Sequence, residues 1–410
     1  MSGQLVRQWP LKPLGELCQI RRGQSPRPIK SHITDDEDGV NWIKISDAGD
    51  DGKYIFHSKQ KIHRKSAEKL VVVNDGDFIL TNSMSFGRPY IVRTTGCVHD
   101  GWLIFSEYQN HLNQDYLYYA LNSPNVSNQF EQMARGSTVR NLNIELVKKT
   151  VLPVPSLEEQ QRIVSILDET FEEVENRTSQ IEHKLDNGKE MFQSVIASIF
   201  SQKGEGWTEK TLEEVCELFN GNSIPAKVKQ ERYTSGQVGI PYIGTKDVAF
   251  DTEVTYDSGV VIPEDDSSKF RLAPANSTLI CAEGGSAGRK IGFTSRAVHF
   301  GNKLYAIVPS KALESKFVFY FFRSDQFKRQ FQSRMSGMIG GVSQSKFKTI
   351  QIPIPSLNEQ QAIVNKLDSL SLNVALLEEN HRSEIESLVE LKQSILHEAF
   401  SGRLTGGHLA

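Results

Sequence analysis

Apolar residues follow a seven-residue register along two long segments of the chain, a pattern typical of helices that pack against other helices. The segments are residues 157–200 and 357–400, and a helix of that length extends roughly 66 Å at about 1.5 Å per residue. Gly188 and His381 interrupt the register. The apolar positions are Leu167, Val174, Ile181 and Val195, with Ile163, Thr170, Phe192 and Ile199 beside them, and then Leu367, Val374, Leu388 and Ile395, with Leu370, Leu377 and Leu391 beside them. We therefore predict two coiled-coil helices.

The same motif leads into both helices. It reads LPVPSLEEQQRIVSILDETF at residues 152–171 and IPIPSLNEQQAIVNKLDSLS at residues 352–371. Pro153 and Pro155 favour extended backbone, because proline fixes φ and disfavours helix in the residue before it. Ser156 stands where a helix N-cap belongs, and Glu159 three residues later completes a capping box. The motif thus predicts, twice, the end of a globular domain and the start of a long helix.

The repetition extends through the globular parts of the chain. The segment Val98-His99-x-Gly101 returns as Val298-His299-x-Gly301. Seven residues near the start return 198 positions later: Trp9, Lys12, Leu14, Glu16, Cys18, Gly23 and Ser25 as Trp207, Lys210, Leu212, Glu214, Cys216, Gly221 and Ser223. Two copies are too few for a solenoid, so a pseudo-two-fold internal repeat is the better interpretation.

Each globular part mixes strand and helix patterns. Short β-branched and aromatic runs between Gly, Asp and Ser turns predict strands at residues 40–45, 78–81, 90–92 and 101–105 of the first part. Apolar-aromatic segments predict helices at Gln114–Leu121 and at residues 317–322. The predicted fold class is α+β, with mixed α/β domains at residues 1–151 and 204–351. The first long helix lies at 152–203, and the second, with a C-terminal tail, at 352–410.

Neither long helix can bury its apolar stripe alone. With two similar units in one chain, we predict that the two helices pair as an antiparallel coiled coil between the two domains. The alternative is that each helix packs on its own globular domain.

Composition narrows the class of protein. The chain has 410 residues, 38% hydrophobic and 24% charged, which is long enough for two or three globular domains. It has neither a run of about 18 apolar residues nor the apolar core of a signal peptide. Its four cysteines lack C-x-x-C spacing, which favours reduced intracellular thiols over zinc. The net charge of −3 means that any nucleic-acid site is a local patch.

Sequence motifs for catalysis are missing. The chain contains no G-x-x-x-x-G-K-[ST] loop, no Asn/Asp-Pro-Pro-aromatic tetrad, no H-E-x-x-H and no G-x-S-x-G. His99 and His299 lie in apolar strands, where a satisfied core histidine is more common than a catalytic one. The sequence therefore predicts a protein that binds and does not catalyse, with no metal site and no cofactor of its own.

Polar, basic loops are the candidate binding residues. Arginine and lysine neutralise phosphates, arginine reads guanine, Asn and Gln read adenine, and Glu accepts from cytosine. The candidates in the first unit are Arg21, Arg22, Gln24, Ser25, Arg27, Lys30, Asn82, Ser83, Ser85, Arg88, Arg135, Ser137, Thr138, Arg140 and Asn141. Those in the second are Asn220, Asn222, Ser223, Lys227, Lys229, Glu283, Ser286, Arg289, Lys290, Arg334 and Gln344. The alternative for each is solvated surface. Because framework residues repeat while these loops differ, the two units would read two different sequences.

The duplicated Pro-x-Pro-Ser-Leu-x-Glu-Gln-Gln helix start, the Gly-Gln-Ser-Pro loop at 23–26 and the helix end at residues 394–404, SILHEAFSGRL, resemble the specificity subunit of type I restriction–modification systems. The resemblance covers essentially the whole chain. It departs in that the first helix ends in SQKG at residues 201–204, and Gly221 is not followed by Ser-Pro.

That resemblance implies two target recognition domains, each reading half of a split double-stranded DNA site, and two spacer helices between them. It also implies two methyltransferase subunits that use S-adenosylmethionine, and restriction subunits that use ATP and Mg²⁺. The chain would then be non-catalytic, and would act on DNA in the prokaryotic cytoplasm. Two alternatives stay open: a coiled-coil scaffold without a DNA role, and a single-chain DNA-modifying enzyme.

Overall fold

The chain divides into two compact units, residues 1–181 with 383–410, and residues 182–382. Each unit therefore contains one globular part and a stretch of both long helices. The computed structural model describes residues 9–49, 52–83, 86–134, 141–202, 204–234, 238–250, 252, 254–336 and 340–404.

The globular part of the first unit is built from short strands and helices. Its strands are β1 (Leu11–Pro13), β2 (Gln19–Arg22), β3 (Ile33–Thr34), β4 (Val40–Ile43), β5 (Tyr54–Ile55), β6 (Lys61–Ile62), β7 (Val72–Val73), β8 (Phe78–Thr81), β9 (Pro89–Val92), β10 (Gly96–Val98), β11 (Trp102–Ser106) and β12 (Val151–Pro153). Its helices are α1 (Leu14–Leu17), α2 (Arg64–Ala67), α3 (Gln114–Leu121), α4 (Pro124–Ala134) and α5 (Ile144–Lys148). The long helix α6 (Leu157–Ser201) follows.

The second unit has the same kind of elements. Its strands are β13 (Thr208–Thr211), β14 (Cys216–Asn220), β15 (Gly239–Ile243), β16 (Val261–Pro263), β17 (Leu272–Ala273), β18 (Thr278–Cys281), β19 (Ile291–Phe293), β20 (Val298–Phe300), β21 (Leu304–Pro309) and β22 (Gln351–Ile354). Its helices are α7 (Leu212–Val215), α8 (Ala226–Arg232), α9 (Glu264–Ser267), α10 (Ser315–Phe322), α11 (Asp325–Arg334) and α12 (Gln344–Lys348). The long helix α13 (Leu357–Phe400) follows.

The strand order repeats between the units. One sheet runs β2-β11-β8-β9-β5 in the first unit and β14-β21-β18-β19 in the second. A second sheet runs β3-β6-β4-β10-β7 and β16-β15-β20-β17, with a parallel pair at β4–β10 and at β15–β20. This repeated topology, with helices beside mixed sheets, confirms the predicted α+β class and the internal repeat.

The long helices pair in antiparallel fashion, as the apolar stripes predict. In the first unit Glu175 and Arg177 of α6 form ion pairs with Lys392 (3.1 Å) and Glu384 (2.5 Å) of α13. Residue numbers that rise along α6 therefore meet residue numbers that fall along α13, which is the order of an antiparallel pair. In the second unit Lys189 pairs with Glu378 at 2.9 Å. Leu167 and Leu367 are fully buried. Leu391 departs from the prediction, because 45% of it is exposed.

Each globular part holds the start of one long helix and the end of the other. Phe400, at the end of α13, stacks on Tyr116 of the first unit with ring centroids 5.2 Å apart. Phe200, near the end of α6, packs on Phe317 and Phe321 of the second unit at 5.3 and 5.6 Å. The alternative in which each helix packs only on its own domain is therefore wrong.

A buried glutamine anchors the start of each long helix. Gln160 Oε1 accepts from the Asn113 amide (2.7 Å), while Nε2 donates to the carbonyls of His111 (2.9 Å) and Pro155 (3.0 Å). Gln360 makes the matching three bonds. Their partners are the Glu314 amide (2.8 Å) and the carbonyls of Ala312 (3.5 Å) and Pro355 (3.0 Å). The first glutamine of the repeated Gln-Gln pair thus satisfies backbone groups that burial would otherwise leave unpaired.

Candidate nucleic-acid interface

A glycine starts the candidate loop of each unit at the end of strands β2 and β14. A Cβ on Gly23 would lie 2.2 Å from the His99 carbonyl oxygen, and one on Gly221 would lie 2.0 Å from that of Phe300. A side chain does not fit at such distances, so the repeated glycines allow the loop to cross directly over strand β10 or β20. The next residues are therefore presented from equivalent places in both units.

Asp100 gathers four of the predicted binding residues of the first unit. The Arg22 Nε and the Asn82 Nδ2 donate to its carbonyl oxygen at 2.8 and 2.9 Å. The Ser25 hydroxyl donates to its Oδ1 at 2.7 Å, and the Arg27 guanidinium lies 3.6 Å from its Oδ2. The Ser25 hydrogen bond is the main reason that the pKa of Asp100 is lowered, so the carboxylate is charged at neutral pH. We call this group the Asp100 cluster.

The other candidates of the first unit are less gathered. Arg21, Gln24 and Lys30 are exposed, and Ser83 is half-buried. The Arg88 guanidinium stacks over the Tyr90 ring at 5.6 Å. Asn141 is half-buried, and its Oδ1 is a buried atom with no hydrogen-bond partner among the described residues, as is that of Asn82. The predictions at Ser85, Arg135, Ser137, Thr138 and Arg140 lie outside the described residues.

Arg271 gathers two candidates of the second unit. Its guanidinium Nη1 donates to Asn220 Oδ1 at 2.8 Å and to the Asn220 carbonyl at 3.0 Å. Its backbone amide donates to Asn222 Oδ1 at 2.7 Å. The His299 ring, fully buried, contacts the Arg271 carbonyl at 3.0 Å through Nδ1 and the Ser267 hydroxyl at 2.9 Å through Nε2. We call this group the Arg271 cluster.

Two polar cavities that share lining residues adjoin the Arg271 cluster. One, of about 590 Å³, is lined by Asn220, Glu283, Asn302 and Lys303, and the Lys303 ammonium lies 3.9 Å from the Glu283 carboxylate. The other, of about 300 Å³, also contains Asn302 and Lys303 and is lined by Lys229. The linings of the two cavities contain both lysine ammonium groups and asparagine amides.

Lys229 and the loop of residues 286–290 are partly sheltered by aromatic rings. The Lys229 ammonium lies 4.5 Å from the Tyr242 ring centroid, and burial lowers its pKa. Arg289 and Lys290 lie over the Phe250 ring at 5.0 and 5.1 Å. Each of these cations contacts one ring face.

Several candidates of the second unit make contacts within the fold. Arg334 donates to the Thr349 hydroxyl (3.0 Å) and carbonyl (3.1 Å), and Gln344 donates to the Leu218 carbonyl (2.6 Å). Lys227 lies 3.8 Å from Glu231. Ser223 is exposed and Ser286 is half-buried. Arg334 and Gln344 hold strand ends and turns together, and their predicted contact with DNA stays a prediction.

Sequence reasoning did not single out Asp100, Arg271, Asn302 or Lys303. Asp100 occupies the variable position of the repeated Val-His-x-Gly segment, where the second copy has Phe300. This single difference inside an otherwise repeated segment is the sequence feature from which Asp100 could have been predicted as a binding residue. Arg271 had no such signal, because its partners lie about 50 positions earlier in the chain.

The four cysteines and His299 are buried inside the fold, and His99 is half-buried. Burial raises the pKa of Cys18 and Cys216 to about 12 and that of Cys97 to about 11, so these thiols stay protonated. Burial lowers the pKa of His99 and His299. Within the described ranges, no group of three or more His, Cys, Asp and Glu is placed to hold a metal ion. Among those same residues, no helix has the length and apolar character needed to span a bilayer.

Known specificity subunits of type I restriction enzymes are similar in sequence to this chain. The MjaVIII specificity subunit of a type I restriction enzyme from Methanocaldococcus jannaschii is 23% identical over 374 residues, which covers 83% of this chain and 82% of that protein. The EcoBI specificity subunit from Escherichia coli is 21% identical over 400 residues, or 92% of this chain and 82% of that protein.

Solved structures have the same fold. The HsdS subunit from Thermoanaerobacter tengcongensis matches with a TM-score of 0.58 at 23% identity, over 97% of both chains. A chain from work on complex assembly and conformational transition of the type I R-M system matches with a TM-score of 0.77 at 23% identity, over 97% of this chain and 99% of that one.

The family described as type I restriction modification DNA specificity domain matches the chain twice, at residues 7–186 and at residues 204–387. The two matches take in most of the chain, and each contains one globular part with its glycine-started loop. The chain therefore belongs to the type I restriction modification DNA specificity family and carries two copies of its domain.

Proposed function

We propose that this chain is the DNA-recognition subunit of a type I restriction–modification complex, and that each globular domain reads one half of a bipartite, asymmetric site. One observation carries the proposal: the two domains share a fold but present different polar groups at equivalent positions. Strand β2 ends in Arg22, opposite Leu103, whereas β14 ends in Asn220, opposite Tyr305. Equal frames with unequal side chains suit two half-sites of different sequence.

The charge distribution supports contact with a duplex through local patches. The whole chain has a net charge of −3, so its surface does not attract nucleic acid everywhere. Arg21, Arg22 and Arg27 are all exposed and lie within seven residues of one strand and the loop that follows it. Cations of this kind bind backbone phosphates and set the register of the protein on the duplex, while base-edge contacts provide the sequence preference.

Methyltransferase and restriction subunits complete the proposed complex. Family membership supports these partners. We assign S-adenosylmethionine, ATP and Mg²⁺ to those subunits and not to this chain. The long helices supply a spacer of fixed length between the half-sites, since a paired helix resists bending better than a flexible linker. The complex would act on DNA in the prokaryotic cytoplasm.

Exchange of one recognition domain tests the proposal. Residues 1–150 are replaced by the corresponding part of a relative, the full-length hybrid is co-expressed with the methyltransferase subunit, and methylated adenines are mapped. We expect one half of the methylated site to change while the other half and the spacer stay the same. A change in both halves would contradict the assignment of one half-site to each domain.

The same experiment separates the alternatives. A scaffold without a DNA role would give no sequence-specific methylation with any hybrid. A single-chain modifying enzyme would methylate DNA without the methyltransferase subunit, which a parallel culture that lacks that subunit measures.

A further inference from the structure

The two recognition domains organise their loops through residues of opposite charge. In the first domain the Asp100 carboxylate accepts from Ser25 and faces Arg27, while the Asp100 backbone carbonyl accepts from Arg22 and Asn82. In the second domain its place is taken by Phe300, which is fully buried, and the organising group is the guanidinium of Arg271. The two clusters therefore present different chemistry to a ligand.

The Asp100 cluster presents a donor beside an acceptor. Ser25 uses Oδ1 of Asp100, whereas among the described residues Oδ2 has the Arg27 guanidinium as its ion-pair partner, at 3.6 Å. The side chains of Arg27 and Asp100 are 83% and 44% exposed, so both can reach a ligand. In the major groove a G·C pair offers the acceptors O6 and N7 on guanine and the donor N4 on cytosine, which is the complementary arrangement.

The Arg271 cluster presents donors. Arg271 occupies the side-chain oxygens of both Asn220 and Asn222, and their NH₂ groups make no hydrogen bond with the described residues. Amide donors suit base-edge acceptors such as purine N7 and thymine O4. The cluster therefore favours a base edge with an acceptor.

We propose that Asp100 and Arg271 are specificity-determining positioning residues, that Arg27 and Asp100 together read a G·C pair in the first half-site, and that Asn220 and Asn222 donate to a purine N7 or thymine O4 in the second. The inference rests on the proposed function. Asp100 has two roles: it holds the Arg22–Ser25 loop, and it accepts from the cytosine. Arg271 acts only through the two asparagines.

Single substitutions in the full chain, co-expressed with the methyltransferase subunit, test the assignment. Asp100→Asn keeps the size and the Ser25 contact but removes the charge that faces Arg27. We expect about tenfold or more loss of discrimination at one G·C position of the first half-site, with the second half-site unchanged. Arg271→Gln should give the opposite result, relaxing the second half-site only. Asp75→Asn, which removes an exposed carboxylate 3.3 Å from Arg93, is the matched control and should change neither.

A coupling measurement separates base reading from a loss of structure. Arg27→Ala should relax the same G·C position as Asp100→Asn, and the double variant should relax it no further, because both residues read one pair. Thermal unfolding of each variant checks that the fold is kept.

Specific outcomes would overturn the inference. The inference is wrong if the Asp100→Asn variant discriminates at every position of the first half-site as well as the unchanged chain does. It is also wrong if either variant relaxes both half-sites equally. Additive effects of Arg27→Ala and Asp100→Asn at different positions would also overturn it. In each of these results the unchanged chain still methylates a bipartite site, whereas failure of the proposed function would appear as no bipartite site for the unchanged chain.

Discussion

Gln160 and Gln360 make the same three hydrogen bonds in the two units, whereas Asp100 and Phe300, also at equivalent positions, share none of their side-chain contacts. The glutamines are buried and bond to backbone groups, which are the same whatever side chains surround them. Asp100 is partly exposed, and its carboxylate accepts from Ser25 and faces Arg27, whereas the buried apolar side chain of Phe300 has no group that could do the same. The comparison teaches that the frame of this protein is specified through backbone contacts and its proposed specificity through side-chain contacts.

Charge in the helix seam should have the largest effect on the frame. Leu167 is fully buried, so Leu167→Asp places an unpaired carboxylate in an apolar core and should lower the free energy of unfolding by more than about 4 kcal/mol. Urea unfolding followed by circular dichroism measures it. Leu391→Asp on α13 is the control, since this leucine is 45% exposed and its loss should cost far less. If both variants lower the free energy of unfolding equally, Leu167 does not lie in a buried seam.

Loss of either anchoring glutamine should have the next largest effect. Gln160→Leu and Gln360→Leu each leave a buried amide and two carbonyls without a partner, and each should cost roughly 2 to 4 kcal/mol. The two costs should be similar, because the bonds match. The neighbouring exposed residue provides the control: Gln161→Leu should change the free energy of unfolding by less than about 0.5 kcal/mol. If only one of the two variants lowers the free energy of unfolding, the two glutamines do not have equivalent roles.

The smallest effect belongs to the ion pairs along the helices. The Arg177 and Glu384 side chains are 47% and 37% exposed, so a double-mutant cycle with alanine should give a coupling of about 0.2 to 1 kcal/mol. Raising the salt concentration to 1 M should reduce that coupling, because exposed charges are screened. A coupling that salt leaves unchanged would mean that the contact is not mainly electrostatic.

The long helices were the most predictable part of the fold. Their starts at Leu157 and Leu357 follow from the prolines and the capping serine, and α13 ends at Phe400 as the apolar register predicts. Helices α4 and α11 were not predicted. Both are short and polar, and they form because a few apolar residues, such as Phe130 and Phe331, are buried against neighbouring elements. Tertiary packing of this kind is not encoded in a local pattern.

The candidate interface was predicted only in part. The sequence indicated Arg22, Ser25 and Arg27 from their charge and their neighbours, but the residue that brings them together lies about 75 positions later. Asn82 was predicted as a reading residue, and its amide is instead buried and directed at the Asp100 carbonyl. Which side chain faces the solvent depends on strand register and on which loops cross, and neither can be read from spacing alone.

Strand β1 pairs with β12, and β13 pairs with β22, so the chain enters and leaves each recognition domain at neighbouring positions. A segment with adjoining ends behaves as a cassette: it can be removed, replaced or lengthened internally while the long helix that follows it, and in the second domain also the one that precedes it, keeps its joining point. Circular permutation inside such a domain, with new termini in an exposed loop and the β1–β12 ends left in place, should leave the helix frame folded. Because both ends of the domain lie side by side, replacing the gene segment between them should be enough to transfer a half-site preference from one protein to another.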